Sequence, residues 1–115
     1  MEDSVSFAET VSHLWLLRED VQQVRQVVGA VMDLPFAFDA KIERKLLYDG
    51  EGSEHAYPGG YSIWATYADP PLPLVLYLPP EATSEFDARS EDTWRCSGTI
   101  VGWDAKNQRL QVKLS

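Results

Sequence analysis

The sequence predicts a mainly β domain, in which five short strands curl into a small barrel behind one long N-terminal helix. The final strand gives the clearest evidence, because Leu110, Val112 and Leu114 alternate with polar residues and therefore share one buried face. In the strand before it, Gly98 and Gly102 interrupt the pattern. Glycines at such positions mark the bulges and bends that curve a small sheet.

Residues 6–32 predict one continuous helix. Ser6 and Glu9 have the spacing of a capping box, which satisfies free backbone amides at a helix start. The helix ends before Pro35, because a proline disfavours helical geometry in the residue that precedes it. Between these signals, apolar residues recur at alternating intervals of three and four and form one stripe. The stripe consists of Leu14, Leu17, Val21, Val24, Val28 and Val31.

This stripe allows two interpretations. It packs against the protein's own sheet, or it pairs with a partner helix, since an interval of about 3.5 residues also describes a coiled-coil seam. Under the second interpretation, the interface candidates are Leu14, Leu17, Val21, Val24 and Val28.

Three further strands follow the helix, and their predicted bounds are 36–48, 61–68 and 72–78. The segment 49–60 is rich in glycine and is predicted to be a loop. Pro79 and Pro80 end the third strand, and proline is well placed in the first turn of the short acidic helix expected next. A turn at 104–108 then joins the fourth and fifth strands.

Length and composition indicate one domain, because 115 residues with 44% hydrophobic content suffice for a modest core. The longest apolar run is far shorter than the ~20 residues of a membrane span. The acidic start lacks the pattern of a signal peptide, so we expect a cytoplasmic protein. The net charge of −8 disfavours nucleic acid as a partner, since phosphate contacts need a basic face.

The sequence shows no convergent catalytic set. His13 lies in the predicted helix, His55 lies in the loop, and Cys96 falls at a buried strand position. Glu51 and Glu54 accompany His55, but their spacing matches no recognised metal site. We therefore expect no enzymatic activity, no cofactor and no bound metal.

The order of elements from residue 36 to 115 resembles the OB-fold, a five-stranded Greek-key barrel with a helix between its third and fourth strands. Residues 74–115, with Gly98-Thr99-Ile100, are similar to the second half of small bacterial OB proteins of the tRNA-anti-like group. The resemblance implies a non-catalytic binding module, commonly for single-stranded nucleic acid and sometimes for sugar or protein. An SH3-like barrel is the structural alternative, and it usually lacks a helix between Leu78 and Thr93.

The resemblance also implies a binding face on the outer side of the second and third strands and on two adjoining loops. The candidate ligand-binding residues there are Trp64, Thr66, Val75, Tyr77, Tyr57, His55, Lys106 and Asn107. Exposed rings on this face would stack nucleobases or bury area against a protein. Alternatively, the first helix covers this face and buries the rings.

We expect, from these features together, an interaction module that binds protein, either a second copy of itself or another chain. Single-stranded nucleic-acid binding through the outer face of the second and third strands is the alternative function. A membrane is not an expected partner.

Overall fold

The computed structural model describes residues 6–46 and 55–115. Two helices come first, α1 (Phe7–Leu17) and α2 (Val21–Val31). Three strands follow, β1 (Pro35–Lys45), β2 (Tyr61–Thr66) and β3 (Pro73–Leu78). A 3₁₀ turn (Pro80–Ala82) leads into the short helix α3 (Thr83–Asp87), and the chain ends with β4 (Thr93–Asp104) and β5 (Arg109–Leu114).

The five strands form a closed barrel in the order β1-β2-β3-β5-β4, which returns to β1. Strands β3 and β5 run parallel, and the other neighbouring pairs are antiparallel. This arrangement confirms the predicted fold class, a mainly β OB-like barrel preceded by helical structure. Helix α3 between β3 and β4 is the element expected to distinguish this barrel from an SH3-like one.

The barrel interior is filled by side chains that alternate along each strand, as the sequence predicts. The leucines of β3 and the apolar residues of β5 are almost completely buried, because residues two apart in a strand point to the same face. The inward residues of these two strands are Leu74, Leu76, Leu78, Leu110, Val112 and Leu114.

Two glycines of β4 adapt this strand to the curvature of the barrel. At Gly98, an added Cβ would lie 2.3 Å from the carbonyl oxygen of Lys113 and 2.8 Å from the Cα of Leu114. Any side chain would therefore push β5 away from β4. The register between the two strands shifts between Ile100 and Gly102, which is the kind of bulge that glycine in a strand predicts.

The predicted single helix over 6–32 is divided in two. The Asp20 backbone is extended, and its carboxylate accepts a hydrogen bond from the Gln23 amide nitrogen at 3.2 Å. The Gln23 side chain donates to the same carboxylate at 3.0 Å. This cap begins a second helix, because it satisfies amide groups that a continuous helix would bond internally. The start of the first helix is confirmed, since Ser6 and Glu9 form the predicted capping box.

The apolar stripe packs against the protein's own core, which is the first of its two interpretations. Leu14, Val24 and Val28 are buried there, Leu17 is partly buried, and Val21 is exposed at its margin. Buried side chains offer no surface to a partner helix. The break at residue 20 allows the two short helices to follow the barrel separately.

The helices pack against one region of the barrel and α3 against another. Phe7 stacks on Phe38 of β1 with ring centroids 4.0 Å apart, and the Asp33 amide after α2 donates to the Ile100 carbonyl of β4 at 3.3 Å. Phe86 of α3 contacts the rings of Tyr61 and Trp94 edge-on at 6.0 and 5.2 Å. The helices therefore cover the barrel core with their own aromatic and aliphatic side chains.

Replacing Val24 by Asp tests the packing of α2. Val24 is 0% exposed, so the substitution buries an unpaired carboxylate, and we expect the free energy of unfolding to fall by about 2–4 kcal/mol. Urea denaturation measures this loss of unfolding free energy. The same loss should appear at every protein concentration, because Val24 packs within its own chain. The exposed control Ser12→Asp should change stability by no more than ~0.5 kcal/mol, and an unchanged midpoint for Val24→Asp contradicts this packing.

Candidate functional site

The outer side of β2, β3 and β5 brings six of the eight predicted ligand-binding residues into one region. Trp64 and Thr66 lie on β2, Val75 and Tyr77 lie on β3, and His55 and Tyr57 precede β2. The other two, Lys106 and Asn107, form the β4–β5 turn, where their amides bond the carboxylate of Asp104 at 3.1 and 3.2 Å. These two residues stabilise the turn through their amides, and their role in binding stays a prediction.

The ring of Trp64 is contacted by two guanidinium groups of its own chain. The Cζ atom of Arg109 lies 3.8 Å from the ring centroid, and that of Arg44 lies 4.7 Å away. Cation–π contacts of this kind are favourable because the ring face is electron-rich. A nucleobase that stacks on Trp64 would have to displace at least one of these arginines.

Arg109 connects four strands of the barrel. Its guanidinium donates to the carbonyl oxygens of Ala65 on β2 and Leu74 on β3, at 3.2 and 2.9 Å, and to Glu43 on β1 at 3.3 Å. Thr66 donates to the second carboxylate oxygen of Glu43. Burial lowers the pKa of Arg109, and the Glu43 carboxylate opposes that shift. We call this group of side chains the Arg109 clamp.

Tyr77 points away from the barrel interior, as predicted, but it is only 2% exposed. Its hydroxyl accepts a hydrogen bond from the buried Gln111 side chain at 3.2 Å. The ring of His55 lies 6.1 Å from the Tyr77 ring, centroid to centroid. Val75, beside Gln111 in the strand register, is buried as well. The expectation of open aromatic rings on this face is therefore wrong for Tyr77.

The segment that precedes β2 is fastened to the end of β5. The hydroxyl of Tyr57 donates to the Leu114 carbonyl oxygen at 2.5 Å, and the Lys113 ammonium lies 4.8 Å from the centre of the Tyr57 ring. Burial raises the pKa of Tyr57, and the charge of Glu81 adds to the shift. Together with His55, these contacts hold the segment against the outer side of β3 and β5. The predicted cover by the first helix is wrong, because α1 and α2 pack near β1 and β4.

The barrel also brings together cations that are scattered in the sequence. Lys41 and Arg44 of β1 lie opposite Thr66 and Trp64 in the strand register, and Arg109 of β5 lies over the ring of Trp64. We call Lys41, Arg44 and Arg109 the basic rim of Trp64. Sequence reasoning missed this rim because β1 and β5 are distant in the chain and have no direct pairing in the sheet.

The three candidate catalytic side chains lie on separate elements: His13 on α1, His55 before β2 and Cys96 on β4. No set of three or more His, Cys, Asp or Glu side chains within residues 6–46 and 55–115 is arranged to hold a metal ion. Glu51 and Glu54 lie outside the described residues. Burial raises the pKa of Cys96 to about 12, with a further upward effect from Asp39 and a downward one from Arg95, so the thiol stays protonated and unreactive at neutral pH.

Comparison of the chain with protein-family models, with curated proteins and with solved structures finds no match. Among the helices that the structure describes, none combines the length and apolar character needed to cross a membrane.

Replacing Arg109 by Ala tests the Arg109 clamp. The substitution leaves the Ala65 and Leu74 carbonyls and the Glu43 carboxylate without this donor, so we expect unfolding free energy to fall by about 2–3 kcal/mol. The matched control is Arg95→Ala, which removes an exposed ion pair with Asp39 and should cost less than ~1 kcal/mol. Equal denaturation midpoints for the two variants would show that the clamp contributes no more than a surface ion pair.

Proposed function

We propose that this chain is a non-catalytic OB-like interaction module that binds protein through its pair of N-terminal helices. The observation that carries the proposal is the distribution of exposed apolar side chains. Within residues 6–46 and 55–115, the large hydrophobic residues that are exposed all fall between positions 16 and 34. They are Leu16, Val21, Met32 and Leu34, which we call the helical patch.

Burial of an exposed apolar side chain against a partner is favourable by about 25 cal/mol for each Å² of apolar surface that is removed from water. Leu16 is the extreme case, since it is 78% exposed although its neighbours in α1 reach the core. Single exposed hydrophobic residues are ordinary, but here they are confined to α1, α2 and the link between α2 and β1. On the barrel, in contrast, the outward residues Val75 and Tyr77 are buried by other parts of the chain.

The Arg109 clamp and the cover over Tyr77 support the same proposal. They occupy the outer side of β2 and β3 with internal hydrogen bonds and cation–π contacts. A ligand that used this face would first have to break those contacts. The helical patch requires no such rearrangement, because its side chains already face solvent.

The basic rim favours a second candidate function, the binding of single-stranded nucleic acid. The resemblance to tRNA-anti-like OB proteins supports the same ligand. Lys41 and Arg44 are exposed on β1 and would contact phosphates. The covered rings leave little stacking surface, so such binding would be largely electrostatic and strongly salt-dependent. The net charge of −8 opposes nucleic-acid binding at long range.

Site-specific photo-cross-linking in the cells that express the protein tests both functions. The photoreactive residue p-benzoylphenylalanine replaces Leu16 or Leu34 in the helical patch, Arg44 in the basic rim, or the exposed Ser90 as a control. Protein binding by the helices predicts protein adducts at positions 16 and 34 that are absent at position 90. Mass spectrometry of the adducts identifies the attached chain.

Adducts confined to position 44 that are removed by nuclease would contradict the protein-binding proposal and favour nucleic acid. Protein adducts of equal yield at positions 16, 34 and 90 would also contradict it, because they would reflect random collision. Leu16 and Leu34 are exposed in the folded chain, so the bulky substitution has room there. Circular dichroism checks that the variants fold.

A further inference from the structure

We infer that residues 55–60, which we call the strap, are a removable cover that closes the outer face of β3 and β5 against ligands. The strap opens as a unit while the strands beneath it stay paired. Its closed position is an autoinhibitory contact within the chain. This inference goes beyond protein binding by the helices and does not depend on it.

Three side chains on the outer face of the barrel are buried although they point away from its interior. They are Val75, Tyr77 and Gln111. Val75 and Tyr77 alternate with the inward leucines of β3, and Gln111 lies beside Val75 in the register of β5. Since successive side chains of a strand point to opposite faces, these three are buried by a part of the chain that lies outside the barrel.

His55 of the strap lies over this face. Its ring centroid is 6.1 Å from that of Tyr77. A Cβ built on Gly102 of β4 would lie 3.8 Å from the His55 Nε2 atom and 2.5 Å from the Gln111 Oε1 atom, so the ends of these two side chains come together above Gly102. The strap therefore reaches from β3 across β5 to β4, and Gln111 lies beneath it.

Side-chain contacts fasten the strap to the barrel. Residues 55–60 precede β2 and belong to none of the five strands, and the hydrogen bond from the Gly60 amide to the Tyr57 carbonyl, at 3.0 Å, lies within the strap. The Tyr57 hydroxyl donates to the Leu114 carbonyl at 2.5 Å, and the Lys113 ammonium lies 4.8 Å from the centre of the Tyr57 ring. A segment held in this way opens at a lower free energy than paired strands.

The contacts beneath the strap do not involve it. Strands β3 and β5 pair with each other directly, and the Gln111 side chain donates to the Tyr77 hydroxyl at 3.2 Å. Gly59 and Gly60 join the strap to β2. Because a glycine backbone is the least restricted of all residues, this junction permits the strap to turn outward while β2 keeps its place in the sheet.

Opening changes what this face offers to a ligand. A tyrosine ring is a large apolar surface with a polar tip, and the open face presents Tyr77 beside Val75. A ligand of this face binds the open state and shifts the population toward it. If the strap is open about 1% of the time, the apparent affinity is about a hundredfold below that of the uncovered face. The strap thereby regulates access to the outer side of the barrel.

Alkylation of thiols by iodoacetamide measures the opening in the full chain. Gln111→Cys places a thiol beneath the strap, and Cys96, buried in the barrel core, is an internal reference that reacts through global unfolding. Peptide mass spectrometry follows positions 111 and 96 separately, each relative to its rate in the urea-unfolded chain. Position 111 should be protected at least about tenfold, yet at least about a hundredfold less than Cys96, because local opening costs less than unfolding.

Two results of this measurement overturn the inference. Equal protection at positions 111 and 96 would show that the face is uncovered only when the domain unfolds. Reaction at position 111 at the rate of the unfolded chain would show that nothing covers it. Circular dichroism and urea denaturation confirm that each variant is folded. If Gln111→Cys does not fold, Ser62→Cys replaces it, since Ser62 is buried and lies opposite Tyr77 in the strand register.

The variant Tyr57→Phe, made in the Gln111→Cys chain, tests the fastening. It removes the bond to Leu114 and keeps the ring. Because this bond is broken in the open state, alkylation at position 111 should become about three- to tenfold faster, as expected for one hydrogen bond. The matched control Tyr61→Phe removes a hydroxyl bond to Asp87 of α3 at 2.6 Å, which the open state retains, and it should leave this rate unchanged. No change in Tyr57→Phe, or an equal rise in both variants, contradicts the fastening.

The variant Val24→Ala, also made in the Gln111→Cys chain, separates opening of the strap from unfolding. Val24 is buried under α2, and the loss of two methyl groups destabilises the whole domain, so alkylation of Cys96 should become about tenfold faster. Position 111 should keep its rate, because α2 stays packed when the strap opens. An equal acceleration at both thiols would mean that the strap leaves only with the rest of the fold, and it would overturn the inference.

Discussion

Closure of the sheet is the constraint on which the rest of this structure depends. A five-stranded sheet closes only if β3 pairs with β5 and β1 pairs with β4, which leaves no unpaired edge. Closure requires sharp curvature in β4, and Gly98 permits it by letting the β4 and β5 backbones approach more closely than any side chain would allow. With no free edge, partners can reach the barrel only through its outer faces and loops.

The outer face of β2, β3 and β5 is largely occupied by the chain itself. Arg109 hydrogen-bonds across strands on this face, and Tyr77 bonds Gln111 beneath the segment that Tyr57 fastens to β5. These contacts stabilise the closed barrel. They also cover aromatic rings that would otherwise be exposed on the binding face expected of an OB-like fold. Exposed apolar area is found instead on α1, α2 and the link to β1, which makes the helices the more accessible binding surface.

Local patterns in the sequence predicted the helices and strands, whereas contacts between distant residues determine which side chains are exposed on the surface. The alternation of Leu110, Val112 and Leu114 correctly predicts β5 and its inward face, because a strand's period is a local property. The break between α1 and α2 was also locally encoded, since Asp20 and Gln23 form a cap, but the continuous apolar stripe masked it. The burial of Tyr77 and the basic rim could not be predicted, because they join residues far apart in the chain.

Amide hydrogen exchange along β3 and β5 is the most direct measurement of closure. In a closed barrel, the amides that bond between these parallel strands exchange only through global unfolding, with the same free energy of opening as the amides between β1 and β4. Exchange of the β3 and β5 amides at close to the rate of an unstructured chain, while the amides between β1 and β4 stay protected, would show that the sheet is open at this pair and would contradict the closed barrel.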